Sequence, residues 1–198
     1  MDALSLYKKR RTQYALGKQV SLSTDAFTDL IKNVVRDTPS AFNSQSSRVV
    51  LLFGEHSDHF WTNLVTEALR PLVPADAFAA TQTKLTGFAA GVGTVLFFED
   101  QQVISQLQEQ FPLYADKFPV FSANSAGMAQ FAVWTALAEQ NIGASLQHYN
   151  PVIDEAVRTT YDVPAHWQLS AQMPFGSNEQ GFGEKTYIDD NERFKLFR

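Results

Sequence analysis

The basic stretch from Lys8 to Tyr14, KKRRTQY, carries the side chains of this sequence best suited to hold a phosphate. Arg10 and Arg11 offer charge-assisted hydrogen bonds to an anion, and Thr12 adds a hydroxyl donor. Taken alone, a solvated basic face is the more common explanation of such a run. Its meaning therefore depends on the rest of the chain.

The polar segment from Thr38 to Arg48, TPSAFNSQSSR, separates a predicted helix from a predicted strand. Asn43 and Gln45 offer amide groups, and the loop offers free backbone groups, to a planar polar ligand. A plain connection between a helix and a strand is the alternative interpretation.

Other motifs are weaker. The glycines at residues 91–96 precede a strand instead of following one, which argues against a dinucleotide-binding turn, and residues 181–186 only approximate a phosphate loop. His56 and His59 are better explained as solvent-facing residues of a helix start than as metal ligands, so we expect no metal site. The sequence contains no GxSxG nucleophile motif.

Composition narrows the class of protein. The 198 residues, 44% hydrophobic and 19% charged, predict one globular domain with a buried core. The net charge of -5 and the pI of about 5.3 disfavour nucleic acid and anionic membrane surfaces as partners. The absence of cysteine excludes disulfides and thiolate chemistry.

The sequence pattern predicts neither a secretory signal nor a membrane-spanning helix. The N-terminal charges follow a short apolar stretch, the reverse of a secretory signal, and the nearly uncharged residues 118–138 predict a buried helix rather than a membrane span. We therefore expect a cytoplasmic protein.

Apolar runs alternate with helical patterns along the chain, which predicts an α/β or α+β arrangement with helices covering a central sheet. Strands are expected at residues 48–55, 91–100 and 167–176, and residues 143–150 are expected to form a further strand or a turn. Helices are expected after Ser23, after Ser57, at 75–90, within 101–117, from Ser122 or Asn124 to Glu139, and at 154–161.

Two surfaces are predicted from apolar and polar patterning. Met128, Phe131 and Trp134 make the helix before Glu139 apolar on more than one face, which indicates either a subunit interface or a central core helix. The polar tail, residues 177–198, is typical of an arm rather than of a core.

In their order and spacing, the two polar segments resemble the FMN-dependent nitroreductase family. Arg10, Arg11 and Thr12 match its N-terminal RRS-type motif, and PSAFNSQ at residues 39–45 resembles its PSxxNxQ loop. Residues 141–151 resemble its GLGS segment, residues 155–176 resemble the helix and last strand that follow, and Lys185 matches a basic residue near the C-terminus.

The resemblance spans nearly the whole chain. Within the family, the chain looks most like the compact subgroup related to fungal nitroreductase-like proteins. Two departures stand out. Ser46 and Ser47 follow the loop where the family usually has Pro-Trp, and the GLGS segment reads Gly143-Ala144-Ser145.

The resemblance implies an α+β fold with a central sheet flanked by helices, one domain over residues 1–198, and a homodimer that exchanges the C-terminal arms, residues 177–198, and buries FMN at its interface. The FMN-binding residues that it implies are Arg10, Arg11, Thr12, Pro39, Ser40, Ala41, Phe42, Asn43, Gln45, Lys84, Gly143, Ala144, Ser145 and Lys185.

The roles differ between segments. Arg10, Arg11 and Lys185 would neutralise the FMN phosphate. The loop, through Ser40, Asn43 and Gln45, would bind the ribityl chain or the pyrimidine edge from the partner chain. Residues 143–145 would bring their backbone close to the ring.

Lys84 is our choice for the positive charge near N1 and O2 of the flavin, with an ordinary surface lysine as the alternative.

The resemblance implies a ping-pong reaction in which NADH or NADPH reduces the flavin and a nitroaromatic or quinone-like acceptor reoxidises it. No side chain is assigned as catalytic, because the flavin supplies the redox chemistry. His148 is either a proton donor at the flavin face or a residue that lines the pocket or the surface. Two other functions stay open, a non-catalytic flavin-binding sensor and a dimeric scaffold without a cofactor.

Overall fold

The computed structural model describes residues 2–198 and has an antiparallel sheet at its centre. The strands of these residues are β1 (Leu16–Gly17), β2 (Ser47–Phe53), β3 (Gly93–Asp100), β4 (Gly143–Ala144) and β5 (Trp167–Asn178). They are ordered β1-β5-β3-β2, with β4 also paired to β5, and every pair is antiparallel. The α+β class predicted from the sequence is confirmed.

Helices cover both faces of this sheet. They are α1 (Ala3–Lys9), α2 (Thr24–Asp37), α3 (Glu55–His59), α4 (Thr66–Leu69), α5 (Ala75–Ala89), α6 (Gln101–Gln110), α7 (Phe118–Glu139), α8 (Asp154–Thr160) and α9 (Asp190–Arg193). A π-helical turn at Phe60–Val65 joins α3 to α4, and short 3-10 turns lie at Ala41–Asn43 and Pro112–Lys117.

Strand β3 forms the middle of the core, and all of its residues are buried. Because successive side chains of a strand point to opposite faces, Val95 and Phe97 pack against α2 and α7. Leu96 and Phe98 belong to a second cluster on the other face, together with apolar residues of the π-helical turn, α4, α5 and α8. The two layers of helices are therefore held by one central strand.

Two predicted helix starts are wrong. Helix α3 begins at Glu55 after Gly54, and the Ser57 hydroxyl instead lies 2.8 Å from that of Thr94 inside the core. Helix α7 begins at Phe118, ahead of Ser122 and Asn124. Buried hydroxyls took tertiary partners in place of the local capping bonds that their sequence context suggests. The Ser23 cap is confirmed, since its hydroxyl accepts a hydrogen bond from the Ala26 amide at 3.2 Å.

The regions around the last strand differ in extent from the prediction. Within residues 143–150, only Gly143–Ala144 form a strand, followed by a single bridge between Gln147 and Gln172. Ser177 and Asn178 belong to β5, paired with β1, so the exposed tail starts at Glu179 rather than at Ser177.

Helix α7 serves as both core and surface. Val133 and Leu137 are fully buried, whereas Met128 and Phe131 are 40% and 42% exposed. Within residues 2–198, no helix is both long enough and apolar enough to cross a membrane.

Candidate functional site

The basic segment leaves α1 at Arg10 and runs beside β4. Thr12 forms a parallel bridge with Ala144, and the Gln13 amide donates to the Ala144 carbonyl at 2.9 Å. The fold therefore brings the predicted residues Arg10, Arg11 and Thr12 next to the predicted segment at Gly143–Ser145, although the two are far apart in sequence.

Arg10 lies against α7. Its guanidinium carbon is 4.4 Å from the centroid of the Trp134 ring and 6.0 Å from that of Phe131. Burial lowers the pKa of Arg10, and the neighbouring charge of Arg11 lowers it further. Its buried Nε has no hydrogen-bond partner among the described residues.

The positive charge of the basic segment has no counterion in the part of the chain that the structure describes. Across residues 2–198, no carboxylate forms a salt bridge with Arg10, Arg11 or Lys185. A half-buried guanidinium with an unpartnered N–H fits an anion such as a phosphate, because burying an unpaired charge is costly. The donor set thus fits the phosphate group of FMN.

The C-terminal tail contacts the same segment. Arg11 donates through Nη2 to the Gly183 carbonyl at 2.6 Å, and Gln13 donates through Nε2 to the Gln180 carbonyl at 2.7 Å. Lys185 follows on this tail, exposed, with its Nζ 5.1 Å from the centroid of the Tyr187 ring. The third predicted phosphate ligand is therefore carried on a tail that is hydrogen-bonded to the second one, Arg11, and to Gln13.

Gly143, Ala144 and Ser145 are buried beneath the basic segment. A Cβ on Gly143 would lie 2.9 Å from Cγ of Gln13 and 2.6 Å from Oδ1 of Asn178, so glycine permits the close approach of these chains. The Ser145 hydroxyl accepts from Gln147 Nε2 at 3.1 Å. In the chain described here these residues contact protein, and their contact with a flavin ring stays a prediction.

The loop at residues 39–45 has an unusual backbone. Phe42, Asn43 and Gln45 have φ angles of 57°, 49° and 49°, in the left-handed region that non-glycine residues rarely adopt. The Ser40 hydroxyl is used within the loop, where it accepts from the Gln45 amide at 2.9 Å. Phe42, Asn43 and Gln45 are exposed, whereas Ser40 and Ala41 are only partly exposed.

Helix α7 separates this loop from the basic segment. The Ala41 amide donates to the Ser125 hydroxyl at 3.2 Å, whereas Arg10 packs on Trp134. These two positions of α7 are about 14 Å apart along the helix axis and, two and a half turns apart, face opposite sides. The two predicted halves of the site are not brought together within one chain.

Lys84 lies on α5, over the other end of the basic segment. Its Nζ is 5.8 Å from the ring centroid of Tyr14 and 5.6 Å from that of Phe88. The fold thus places Lys84 beside Tyr14 of the N-terminal segment, and its role toward a flavin stays a prediction.

A polar cavity that the sequence did not reveal lies between α7 and the ends of β3 and β5. It has a volume of about 390 Å³, and its lining includes Glu99, Gln130, His148, Gln168 and Ser170. The sequence signal that could have indicated this cavity is the alternation of polar Gln168 and Ser170 in the last strand. His148 is exposed and contributes to the lining of this cavity, and its role toward a flavin stays a prediction.

The site thus combines an antiparallel α+β fold with a cluster of cations beside the buried strand β4. The chain matches the nitroreductase family over residues 7–177. It is 35% identical over 197 residues to HBN1 of Saccharomyces cerevisiae, an alignment that covers 96% of this chain and 97% of that protein. The chain belongs to the nitroreductase family, and the predicted resemblance is confirmed.

Solved structures agree with this assignment. Nitroreductase CinD from Lactococcus lactis in complex with nicotinic acid is 47% identical with a TM-score of 0.92, and the match covers 100% of both chains. Other CinD structures hold chloramphenicol and 4-nitrophenol. A structure from Exiguobacterium sibiricum in complex with FMN shares the fold at a TM-score of 0.74 and 11% identity, covering 100% of this chain and 98% of that one.

Proposed function

We propose that this protein is an FMN-dependent oxidoreductase that uses NADH or NADPH to reduce nitroaromatic or quinone-like acceptors in a ping-pong reaction. The observation that carries the proposal is the half-buried Arg10, whose Nε has no partner and whose charge has no counterion within residues 2–198. Arg11 and the tail-borne Lys185 extend this positive region, as a phosphate anchor requires.

FMN, when bound, supplies the transfer of hydride and electrons between the nicotinamide and the acceptor. The chain contributes binding and orientation. Arg10, Arg11 and Lys185 hold the phosphate, Thr12 adds a hydroxyl donor, and Lys84 places a positive charge near the pyrimidine edge. No side chain of the protein acts as an obligate acid or base.

The complete site is formed by two copies of the chain, in which the part of each C-terminal arm beyond its contacts with Arg11 and Gln13 extends over the partner. This proposal is supported by the separation of the loop from the basic segment, because a second copy can supply the loop that one chain cannot. The exposed face of α7, with Met128 and Phe131, offers an apolar contact surface. The tail adds exposed apolar side chains at Tyr187 and Phe197, which are 69% and 90% exposed.

The acceptor is a small aromatic molecule. Support comes from CinD, the 46% identical relative that is described in complex with 4-nitrophenol. The polar cavity beside His148 has a volume of about 390 Å³, which lies within the range of about 300 to 1,000 Å³ typical of small-molecule sites.

The visible absorbance of the purified protein tests the proposal. FMN is added, unbound FMN is removed, and NADPH or NADH is then supplied without oxygen. Retained flavin bands that bleach, and return when a nitroaromatic or quinone is added, are the expected result. Flavin that is retained but resists both nucleotides contradicts the enzyme and supports a flavin-binding sensor. A preparation that retains no flavin contradicts the whole assignment.

A further inference from the structure

Glu99 lies at the end of β3 with only 5% of its surface exposed, and three serine hydroxyls donate to its carboxylate. Ser46 and Ser122 donate to Oε2 at 2.6 and 2.5 Å, and Ser47 donates to Oε1 at 2.5 Å. These distances lie at the short end of the range for hydrogen bonds from hydroxyls to carboxylate oxygens.

Among the described residues, no cation is paired with this carboxylate. Throughout residues 2–198, no lysine, arginine or histidine forms a salt bridge with Glu99. A buried charge must be satisfied by hydrogen bonds when it has no ion partner. The three hydroxyls are therefore committed to Glu99, and they join the start of β2, the end of β3 and α7 at one point.

Ser46 and Ser47 directly follow the loop at residues 39–45, whose backbone is strained at Phe42, Asn43 and Gln45. Such conformations persist only where surrounding contacts impose them. Glu99 holds the chain at the C-terminal end of the loop, and the hydroxyl of Ser125 on α7 holds the amide of Ala41 within it.

Asp100, the residue after Glu99, also holds the C-terminal end of the loop. Asp100 accepts from Nη2 of Arg48 at 2.9 Å, and Nη1 of Arg48 donates to the carbonyl of Gln45 at 2.6 Å. The two adjacent acidic residues of β3 thus constrain the loop through different partners, one through hydroxyls and one through a guanidinium.

We propose that Glu99 is a positioning residue, which presets the loop at residues 39–45 in its FMN-binding conformation through the hydroxyls of Ser46 and Ser47. This inference rests on the proposed function, in which the loop contacts FMN. It also gives a physical role to the Ser46-Ser47 pair, which stands where related loops continue with Pro-Trp. Preorganisation of this kind raises affinity because the bound conformation no longer has to be ordered on binding.

The test compares Glu99→Gln and the double variant S46A/S47A with the wild-type protein. Ser57→Ala is the matched control, because its hydroxyl is equally buried but is bonded to Thr94 on the other face of the sheet. Hydrogen exchange of the cofactor-free protein reports local opening, and fluorescence titration reports FMN affinity.

In both test variants the amide hydrogens of residues 40–47 are expected to exchange about tenfold faster, and the Kd for FMN is expected to rise about tenfold. Ser57→Ala is expected to change neither the exchange rate of these amides nor the Kd for FMN. Normal exchange and normal FMN affinity in both test variants would overturn the role of Glu99, as would faster exchange spread evenly over the chain. Wild-type protein that retains no FMN would instead overturn the proposed function, which separates the two failures.

Discussion

The guanidinium of Arg10 lies over the indole ring of Trp134, with its central carbon 4.4 Å from the ring centroid. This contact fixes the end of α1 against α7 by a cation–π interaction. It also leaves the buried Nε of Arg10 without a partner among residues 2–198. The stacked arginine is therefore held in place without being neutralised, as an anion-binding residue must be.

Arg10→Ala is expected to weaken FMN binding about 10- to 100-fold, because one charge-assisted hydrogen bond contributes about 1.5 to 3 kcal/mol. Arg10→Lys should be intermediate, since lysine keeps the charge but loses the planar donors. Flavin fluorescence titration measures both. Arg70→Ala removes an exposed arginine paired with Glu67 and serves as the control. Equal losses in Arg10→Ala and Arg70→Ala would contradict a specific phosphate site.

Met128→Asp is expected to convert the proposed homodimer into monomers. Met128 is 40% exposed on α7, and a carboxylate placed at its position would have to be desolvated in an apolar interface. Light scattering coupled to size-exclusion chromatography measures the mass. Leu72→Asp, at a leucine that is 60% exposed after α4, should leave the mass unchanged. A dimer that persists in Met128→Asp would place the interface elsewhere.

Two glycine-to-alanine changes should have opposite signs. A Cβ at Gly143 would meet Gln13 and Asn178 at less than 3 Å, so Gly143→Ala should cost about 1 to 3 kcal/mol of unfolding free energy. A Cβ at Gly127 within α7 would meet nothing within 4 Å, so Gly127→Ala should add about 0.5 to 1 kcal/mol. Chemical denaturation measures both. Equal effects would show that Gly143 is not in a tight contact.

Asp154→Asn should stabilise the fold at neutral pH. Burial raises the pKa of Asp154, and its Oδ1 is buried without a partner among the described residues. A raised pKa in the folded state means that ionisation costs stability as the pH rises through that pKa. The gain should disappear below the ordinary aspartate range near about pH 4.

Thermal unfolding followed across pH checks this expectation. Asp25→Asn is the control, because Asp25 is exposed in the first turn of α2 and loses only a favourable interaction with the helix dipole. A gain for Asp154→Asn that did not depend on pH would rule out ionisation as its cause.

Local patterns were sufficient for several elements of the fold. The Ser23 cap and the apolar spacing from Phe27 to Val35 predicted α2, and continuous apolar runs predicted β2 and β3. These features depend on neighbours within a few residues. The predictions failed at Ser57 and Ser122, whose hydroxyls bond to residues 37 and 23 positions away.

The sequence by itself determined the chemistry that is available, namely the arginine pair, the amide-rich loop and a family pattern spread over nearly the whole chain. Only the tertiary structure decided how these parts are arranged. It placed α7 between the loop and the basic segment, and it joined Ser46 to Glu99 across 53 positions of sequence. Such contacts depend on how helices and strands pack, so they cannot be predicted from the local spacing of residues.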